Sequence, residues 1–384
     1  MGLNNERAVE VVLERCVTVR NRNARCGACI AACPASCIAF DEGGLLAVDA
    51  EACVACGACT AACPTEALRS RDYGAPELLR RGLAAAGNAG GRAVVACARA
   101  LAGVVEDADL TKVAEVPCLG FVDESLLVGL VDGGAERVSL VCGPCGECAC
   151  AVGASCAERA VARAEELLGA CGREAKLKVT RKFPSAVRLS DAALYGGEGT
   201  QAAPVAEAGA GVFAEELRSP GLEGLVRRRP YSRRSIKADD DGMLPRYPSD
   251  RRERLLACLW RLAQGQASSD PAGDWLWARV EVDEDACSSC RLCVKFCPTG
   301  ALEPVGGDVA GARQLVGLCV RCGSCESVCN RRALKLVGGV SVEEALAGEQ
   351  QEIKMKPAAV KLGTPTSILD AMRSHMKIDR IYAR

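Results

Sequence analysis

Histidine is almost absent: His375 is the only one in 384 residues. That excludes Rieske-type centres, which need two histidines, and Cys2His2 zinc fingers, which need a pair. Aromatic residues are scarce at 3%, so the interior is not expected to rest on ring packing. Net charge is also missing. The 48 Lys and Arg nearly cancel 49 Asp and Glu, leaving −1, which argues against a chain that coats nucleic acid or an anionic membrane. No apolar run reaches the ~18 residues of a membrane span. Met1 to Cys16 carries Glu and Arg throughout without an apolar core, so no export signal is expected. Catalytic signatures are lacking too. There is no P-loop, and Gly87-Asn-Ala-Gly90-Gly91 precedes a strand pattern instead of following one, which removes it as a dinucleotide fingerprint. The acidic residues do not gather as paired general acids.

Cysteine, by contrast, is abundant, with 26 residues. In a chain without an export signal these read as metal-ligating thiols kept reduced in a cytosol, so the expected location is cytoplasmic. The run Cys53-Val-Ala-Cys56-Gly-Ala-Cys59-Thr-Ala-Ala-Cys63-Pro64 has the C-x2-C-x2-C-x3-C-P spacing that wraps a cubane iron–sulfur cluster. Three thiolates in one tight loop reach three corners of a small inorganic core, and the fourth is aimed at a different core. A zinc knuckle is the plainer alternative. Upstream, Cys26-Gly-Ala-Cys29-Ile-Ala-Ala-Cys33-Pro34 repeats the second half of the run, but Asn23 occupies the first ligand position. Cys16 is the nearest upstream thiol, and the nine residues Val17 to Arg25 form a loop able to return it to that corner. An Asn or water ligand, or a three-iron cluster, are the rival readings. Cys37 is left over, and its plain reading is a small buried hydrophobe.

Two such runs separated by a short hairpin strand, Leu45–Asp49, resemble a bacterial two-cluster ferredoxin. In that family the fourth cysteine of each run serves the other cluster. The resemblance implies one cluster on Cys16, Cys26, Cys29 and Cys63, and a second on Cys53, Cys56, Cys59 and Cys33. The same unit recurs near the end as Cys287-Ser-Ser-Cys290-Arg-Leu-Cys293-Val-Lys-Phe-Cys297-Pro298 and Cys319-Val-Arg-Cys322-Gly-Ser-Cys325-Glu-Ser-Val-Cys329. Asn330 replaces the usual proline, which donates nothing to iron. By the crossing rule Cys287, Cys290, Cys293 and Cys329 hold a third cluster, and Cys319, Cys322, Cys325 and Cys297 a fourth. Gly57 and Gly323 lie between ligands, where backbone amides must approach bridging sulfides.

Between these units the pattern changes. Short apolar runs (Ala93–Ala96, Val113–Val116, Val138–Val141, Leu177–Val179) alternate with helical ones (Glu124–Leu130, Ala157–Leu168), which argues for parallel strands with crossover helices. Three strands lead into Cys97, Cys118 and Cys142, at the carboxyl ends where such sheets form their ligand crevice. Cys145, Cys148, Cys150 and Cys156 follow. The segment is similar to the iron–sulfur (delta) subunit of methyl-viologen-reducing hydrogenase. The matching residues are Val116-Pro-Cys118-Leu-Gly120, Asp132-Gly-Gly-Ala-Glu-Arg-Val-Ser-Leu-Val-Cys142-Gly-Pro, and the stretch from Cys148 through Gly153 to Arg159. That resemblance implies a [2Fe–2S] cluster on Cys97, Cys118, Cys142 and Cys148, with Cys145 able to replace one of them, and electron transfer to a heterodisulfide reductase-type partner. Two departures stand against it: Arg99 lies where a second cysteine is expected, and the Cys142 loop is longer. A fold that keeps the thiols only for packing is the alternative.

The expected architecture is multidomain. It comprises a ferredoxin-like α+β unit over residues 1–75, an α/β parallel-sheet domain over 76–181, a linker over 182–249, a second ferredoxin-like unit with a preceding helix over 250–340, and a tail over 341–384. A helix is expected at Glu6–Arg15, another at Asp250–Ala263 capped by Ser249 or Asp250 with Cys258 in its core face, and a strand through Trp275, Trp277, Val280 and Val282. The linker carries a brief helical pattern at Val212–Leu217 and basic clusters at Arg227–Arg229 and Ser232–Ser235; the tail ends on Lys377, Arg380 and Arg384. The expected function is a multi-cluster electron-transfer subunit with four [4Fe–4S] clusters and the implied [2Fe–2S]. It would be non-catalytic and relay electrons between hydrogenase, dehydrogenase or heterodisulfide reductase-like subunits, with no nucleic-acid partner. An enzyme with its own thiol or iron–sulfur centre in the middle domain, and a metal or redox sensor, are the alternatives.

Overall fold

The computed structural model describes residues 9–70, 72–104, 106–188, 243–305, 311–348 and 350–355. The Val212–Leu217 pattern, the basic clusters at 227–235, His375 and the basic tail residues lie outside them.

A four-stranded parallel sheet forms the middle of the molecule, in spatial order Ala114–Val116, Arg92–Cys97, Arg137–Val141, Lys176–Thr180. Its two central strands, Arg92–Cys97 and Arg137–Val141, are buried on both faces because helices and loops cover both. Ala93 and Val95 pack with Leu126, Leu127, Leu130, Leu167 and Leu168 from helices Glu124–Asp132 and Gly153–Ala170. Val94, Ala96 and Val141 pack on the opposite face with Leu101, Ala108 and Val187. Packing therefore continues to Arg188, where Asp109 N–H donates to the Val187 carbonyl at 2.7 Å. Asp123 caps the first of these helices by accepting from Leu126 N–H at 2.9 Å, the role its short carboxylate favours.

The N-terminal unit pairs its first strand with its last, Glu10–Val11 with Leu68–Arg69, and its second with its third, Ile38–Phe40 with Leu46–Val48. The C-terminal unit repeats this scheme, Arg279–Val282 with Leu334–Val337 and Leu302–Pro304 with Gly311–Leu315. It adds Gln350–Lys354 on the outer edge of the second pair, which fixes the start of the tail to the body. The helix expected over Glu6–Arg15 is not formed in its described part. Residues 10–11 are a strand and Leu13–Arg15 a 3-10 turn. Val9, Val11 and Leu13 alternate toward the core, and this period of two, together with β-branching, prevails over helix propensity. The strand expected from Trp275 is shorter than expected. Only Arg279–Val282 is extended, because Trp275 lies in a turn bonded to Glu166 and Trp277 caps the core by donating to the Gly317 carbonyl at 3.1 Å.

Helix Asp250–Ala263 joins the three parts. Ser249 Oγ accepts from Arg252 N–H at 3.1 Å, and the stripe Leu255, Leu256, Leu259 and Leu262, with Cys258, is buried. Each such leucine contributes about 1.5–3 kcal/mol. At its first turn Arg251 donates to the Ala61 carbonyl, to the Cys63 carbonyl at 2.7 Å, and pairs with Asp123 at 3.6 Å. Burial alone would lower the pKa of Arg251, but the Asp123, Glu124 and Glu66 carboxylates outweigh it and hold the guanidinium charged. Just upstream, Tyr247 lies under both Arg15 and Arg20, and Arg20 donates to the Pro245 carbonyl at 3.0 Å. Arg251→Met leaves Asp123 and two carbonyls without their donor. The expected outcome is a loss of about 3 kcal/mol in denaturant unfolding, with earlier tryptic cleavage between the parts; unchanged unfolding would show that the clamp is not structural.

Candidate metal centres

The cysteine loops share one backbone geometry. In Cys53–Cys59, Cys287–Cys293 and Cys319–Cys325, the residues on either side of the middle cysteine are left-handed: Ala55 and Gly57, Ser289 and Arg291, Arg321 and Gly323. Four of these are not glycine, and each costs about 1–2 kcal/mol. That strain recurs at the same place because it turns the loop inward on its own centre. The third residue after each fourth cysteine repeats the turn, at Ser36, Glu66, Gly300 and Arg332. The next N–H donates back to sulfur, Ala67 to Cys63 Sγ at 3.2 Å and Ala333 to Cys329 Sγ at 3.3 Å.

The first loop is different. Gly27 has φ −127°, not left-handed, since the chain arrives through the short helix Val17–Arg20. Cys16 nevertheless sits where Cys319 does. Both follow a 3-10 turn, Leu13–Arg15 and Val316–Leu318, and both have φ −69°. The structure brings Cys16, Cys26, Cys29 and Cys63 within electrostatic reach of one another. It groups Cys33, Cys53, Cys56 and Cys59 around a second cavity. Cys287, Cys290, Cys293 and Cys329 form a third group, and Cys297, Cys319, Cys322 and Cys325 a fourth.

In the middle of the molecule the thiols at the sheet's carboxyl edge converge. Cys97, Cys118, Cys142 and Cys148 line one cavity, and Cys145 and Cys150 line it with them. Gly143 N–H donates to Cys97 Sγ at 3.2 Å. Arg99, where a cysteine was expected, donates to the Glu147 carbonyl at 2.6 Å and ties down the long loop. A hydrogen bond from Cys150 pulls the Cys118 thiol down to about 7 against the effect of burial, and the same contact raises Cys150. Cys156 stands apart from this cavity, on helix Gly153–Ala170, and accepts from Arg159 at 3.3 Å. Cys37 is buried in the core of the N-terminal unit, as its plain reading expects, with its Sγ 3.4 Å from Cys33 Sγ on the wall of the second cavity. It occupies the position of Ala67 and Ala333, four residues after a fourth cysteine.

Burial pushes Cys16 up to about 11 and Cys29 and Cys293 to about 12, with neighbouring thiolates adding to the rise. Cys59, Cys322 and Cys325 are raised for the same reasons. Four thiolates cannot share such a space unless a cation neutralises them, and an iron–sulfur core supplies that charge. Among the described residues no three His, Cys, Asp or Glu side chains are arranged to hold a single metal ion. The donor sets are all-thiol groups facing shared spaces, which suits a polynuclear core.

Comparison with family models agrees with this geometry. Residues 24–67 match a 4Fe-4S dicluster domain, and residues 280–303 and 317–332 each match a 4Fe-4S binding domain. Residues 95–187 match the delta subunit of methyl-viologen-reducing hydrogenase. Two 4Fe–4S ferredoxin domains flank a hydrogenase delta-like domain. Neither the curated proteins nor the solved structures give a match to the chain. The ferredoxin domains mean that the chain binds multiple 4Fe–4S clusters. The domain architecture matches an iron–sulfur electron-transfer subunit of a hydrogenase or heterodisulfide reductase-type complex. No helix among the described residues is long and apolar enough to cross a membrane.

The raised thiol values have a consequence for the metal-free chain. Unfolded cysteines ionise near pH 8.5, whereas Cys16, Cys29 and Cys293 stay protonated in the fold until about 11 to 12. Between these limits the folded state binds more protons than the unfolded one, so stability falls as pH rises. The thermal midpoint of the apo protein should be level below pH 8 and decline steadily above pH 9. A flat profile to pH 11 would contradict the burial of these thiols.

Proposed function

We propose that the chain relays single electrons through four [4Fe–4S] clusters, with one [2Fe–2S] cluster in the hydrogenase delta-like domain. The ligand sets are Cys16, Cys26, Cys29 and Cys63; Cys33, Cys53, Cys56 and Cys59; Cys287, Cys290, Cys293 and Cys329; and Cys297, Cys319, Cys322 and Cys325. The binuclear cluster takes Cys97, Cys118, Cys142 and Cys148. The observation that carries the reading is that the fourth cysteine of each run faces the other run's thiols, Cys63 toward Cys26 and Cys29, and Cys297 toward Cys319 and Cys322. This crossing makes the two clusters of each ferredoxin domain neighbours, as Cys59 beside Cys29 and Cys325 beside Cys293 also indicate. Iron–sulfur clusters exchange one electron with little rearrangement, and their potentials follow charge, solvent access and hydrogen bonds to sulfur. The chain's contribution is to hold the thiolates, exclude water and donate N–H groups to sulfur. The protein works in the cytoplasm, where its thiols stay reduced, as a subunit beside a hydrogenase, dehydrogenase or heterodisulfide reductase-like partner. The proposed domain limits are residues 1–75, 76–188, where the packing of Val187 carries the delta-like unit past the 181 expected from sequence, 250–340 and 341–384, with 189–249 as the connection.

Cys16 and Cys37 separate ligand from bystander. In anaerobically prepared protein, Cys16→Ser is expected to lose about a quarter of the dithionite-bleachable 4Fe–4S absorbance, one cluster in four. Cys37→Ser is expected to keep all of it. The reverse pattern would overturn the ligand assignment. Reductive titration followed by EPR should give one-electron steps, and multi-electron steps coupled to turnover of a substrate would contradict a relay.

A further inference from the structure

The relay reading leaves open how the three domains' centres are ordered, and the contacts between domains decide it. The N-terminal domain packs on both others close to thiols. On one side Cys322 lies within electrostatic reach of Cys26. The same seam is held by Asn21 Nδ2 donating to Ser327 Oγ at 3.1 Å. On the other side Cys56 lies beside Cys118 and Cys150. Cys150 Sγ is 3.7 Å from the Val54 carbonyl, and Cys56, Ala58, Cys118 and Cys156 form one buried cluster. Two glycines make this approach possible. A Cβ on Gly57 would strike the Phe121 ring, and one on Gly120 would strike the Cys56 carbonyl.

The middle and C-terminal domains meet elsewhere, along helix Asp250–Ala263. Arg254 donates to Ser125 Oγ at 3.0 Å, Arg261 pairs with Asp132, and Cys171 Sγ lies 3.7 Å from the Leu259 carbonyl. None of these contacts involves a cysteine of the five proposed sets. We infer that the centres form one unbranched path with the N-terminal domain in its middle. The path runs from the six-thiol cavity of the delta-like domain to the Cys53 set, then the Cys26 set, then the Cys322 set, and ends at the Cys287 set. This rests on the relay reading and adds an order to it. At each hop one centre loses one electron and the next gains it, with no bond made or broken and no proton moved. A low-potential one-electron donor supplies one end and a one-electron acceptor drains the other. Both ends are accessible: Cys145 and Cys148 are half-buried beside exposed Glu147, and Cys287 and Cys290 are half-buried beside exposed Ser288.

The order is tested by electron spin relaxation in the dithionite-reduced full-length protein. Cys29→Ser should remove the cluster adjoining the Cys322 set, and the microwave power that half-saturates the C-terminal signals should fall several-fold. Cys59→Ser should remove the next cluster along and leave that value unchanged. Ser327→Leu, which wedges the seam without touching a thiol, should slow the same relaxation in a chain with its full iron complement, and it serves if a cysteine variant does not fold. Equal effects from Cys29→Ser and Cys59→Ser, or no effect from either Cys29→Ser or Ser327→Leu, would overturn the order. Failure of the relay reading looks different, because the unsubstituted protein would then show either no reducible cluster signals or multi-electron steps coupled to substrate turnover.

Discussion

Crowding the ferredoxin-domain thiols into tight, largely buried groups is unfavourable unless something positive is buried with them. A thiolate in an apolar pocket loses its hydration, and three neighbours of the same charge compound the loss. In this protein that penalty appears in the strongly raised thiols of the ferredoxin domains. It also accounts for much of the local backbone. Left-handed non-glycine residues, short 3-10 turns and N–H groups returned to sulfur are all costs or supports that make sense around a bound inorganic core. Metal loading therefore adds to the stability of the small ferredoxin domains, as in other small metal-organised domains.

The larger architecture follows from where these domains are held. The delta-like domain has an ordinary apolar core and needs no metal to explain its sheet. Helix Asp250–Ala263 lies against it and carries, at one end, the Arg251 contacts that reach the N-terminal ferredoxin domain. The tight seam at Gly57 and Gly120 fixes that domain directly to the delta-like domain. A scaffold of this kind holds redox centres at constant separations, which is the requirement for a relay and not for a substrate-closing enzyme.

Much of this was legible in the sequence. Cysteine spacing reports local loop geometry directly, so the ferredoxin units were readable, and the alternation of Val-rich and Leu-rich runs located the parallel sheet and its helices closely. The nearness of Cys16 to Cys26 and Cys29 was readable because it is the nearest thiol upstream of them. Other features were not legible, for physical reasons. The segment before Cys16 mixes apolar and charged residues in a way that suits either a helix or a strand, and only pairing with Leu68–Arg69 decides it. The six-thiol cavity draws on three strand ends and a long loop, a convergence that no local pattern encodes. The approach of Cys26 to Cys322 and of Cys56 to Cys118 depends on domain docking, which leaves no periodic trace in the chain.

The most direct test of the central claim is the amount of iron and acid-labile sulfide in protein purified without oxygen. Four cubane clusters require about sixteen of each per chain, and a binuclear centre adds about two. That content, in a brown protein that bleaches on reduction, is the predicted result. A folded protein carrying stoichiometric zinc, or no labile sulfide, would contradict the account.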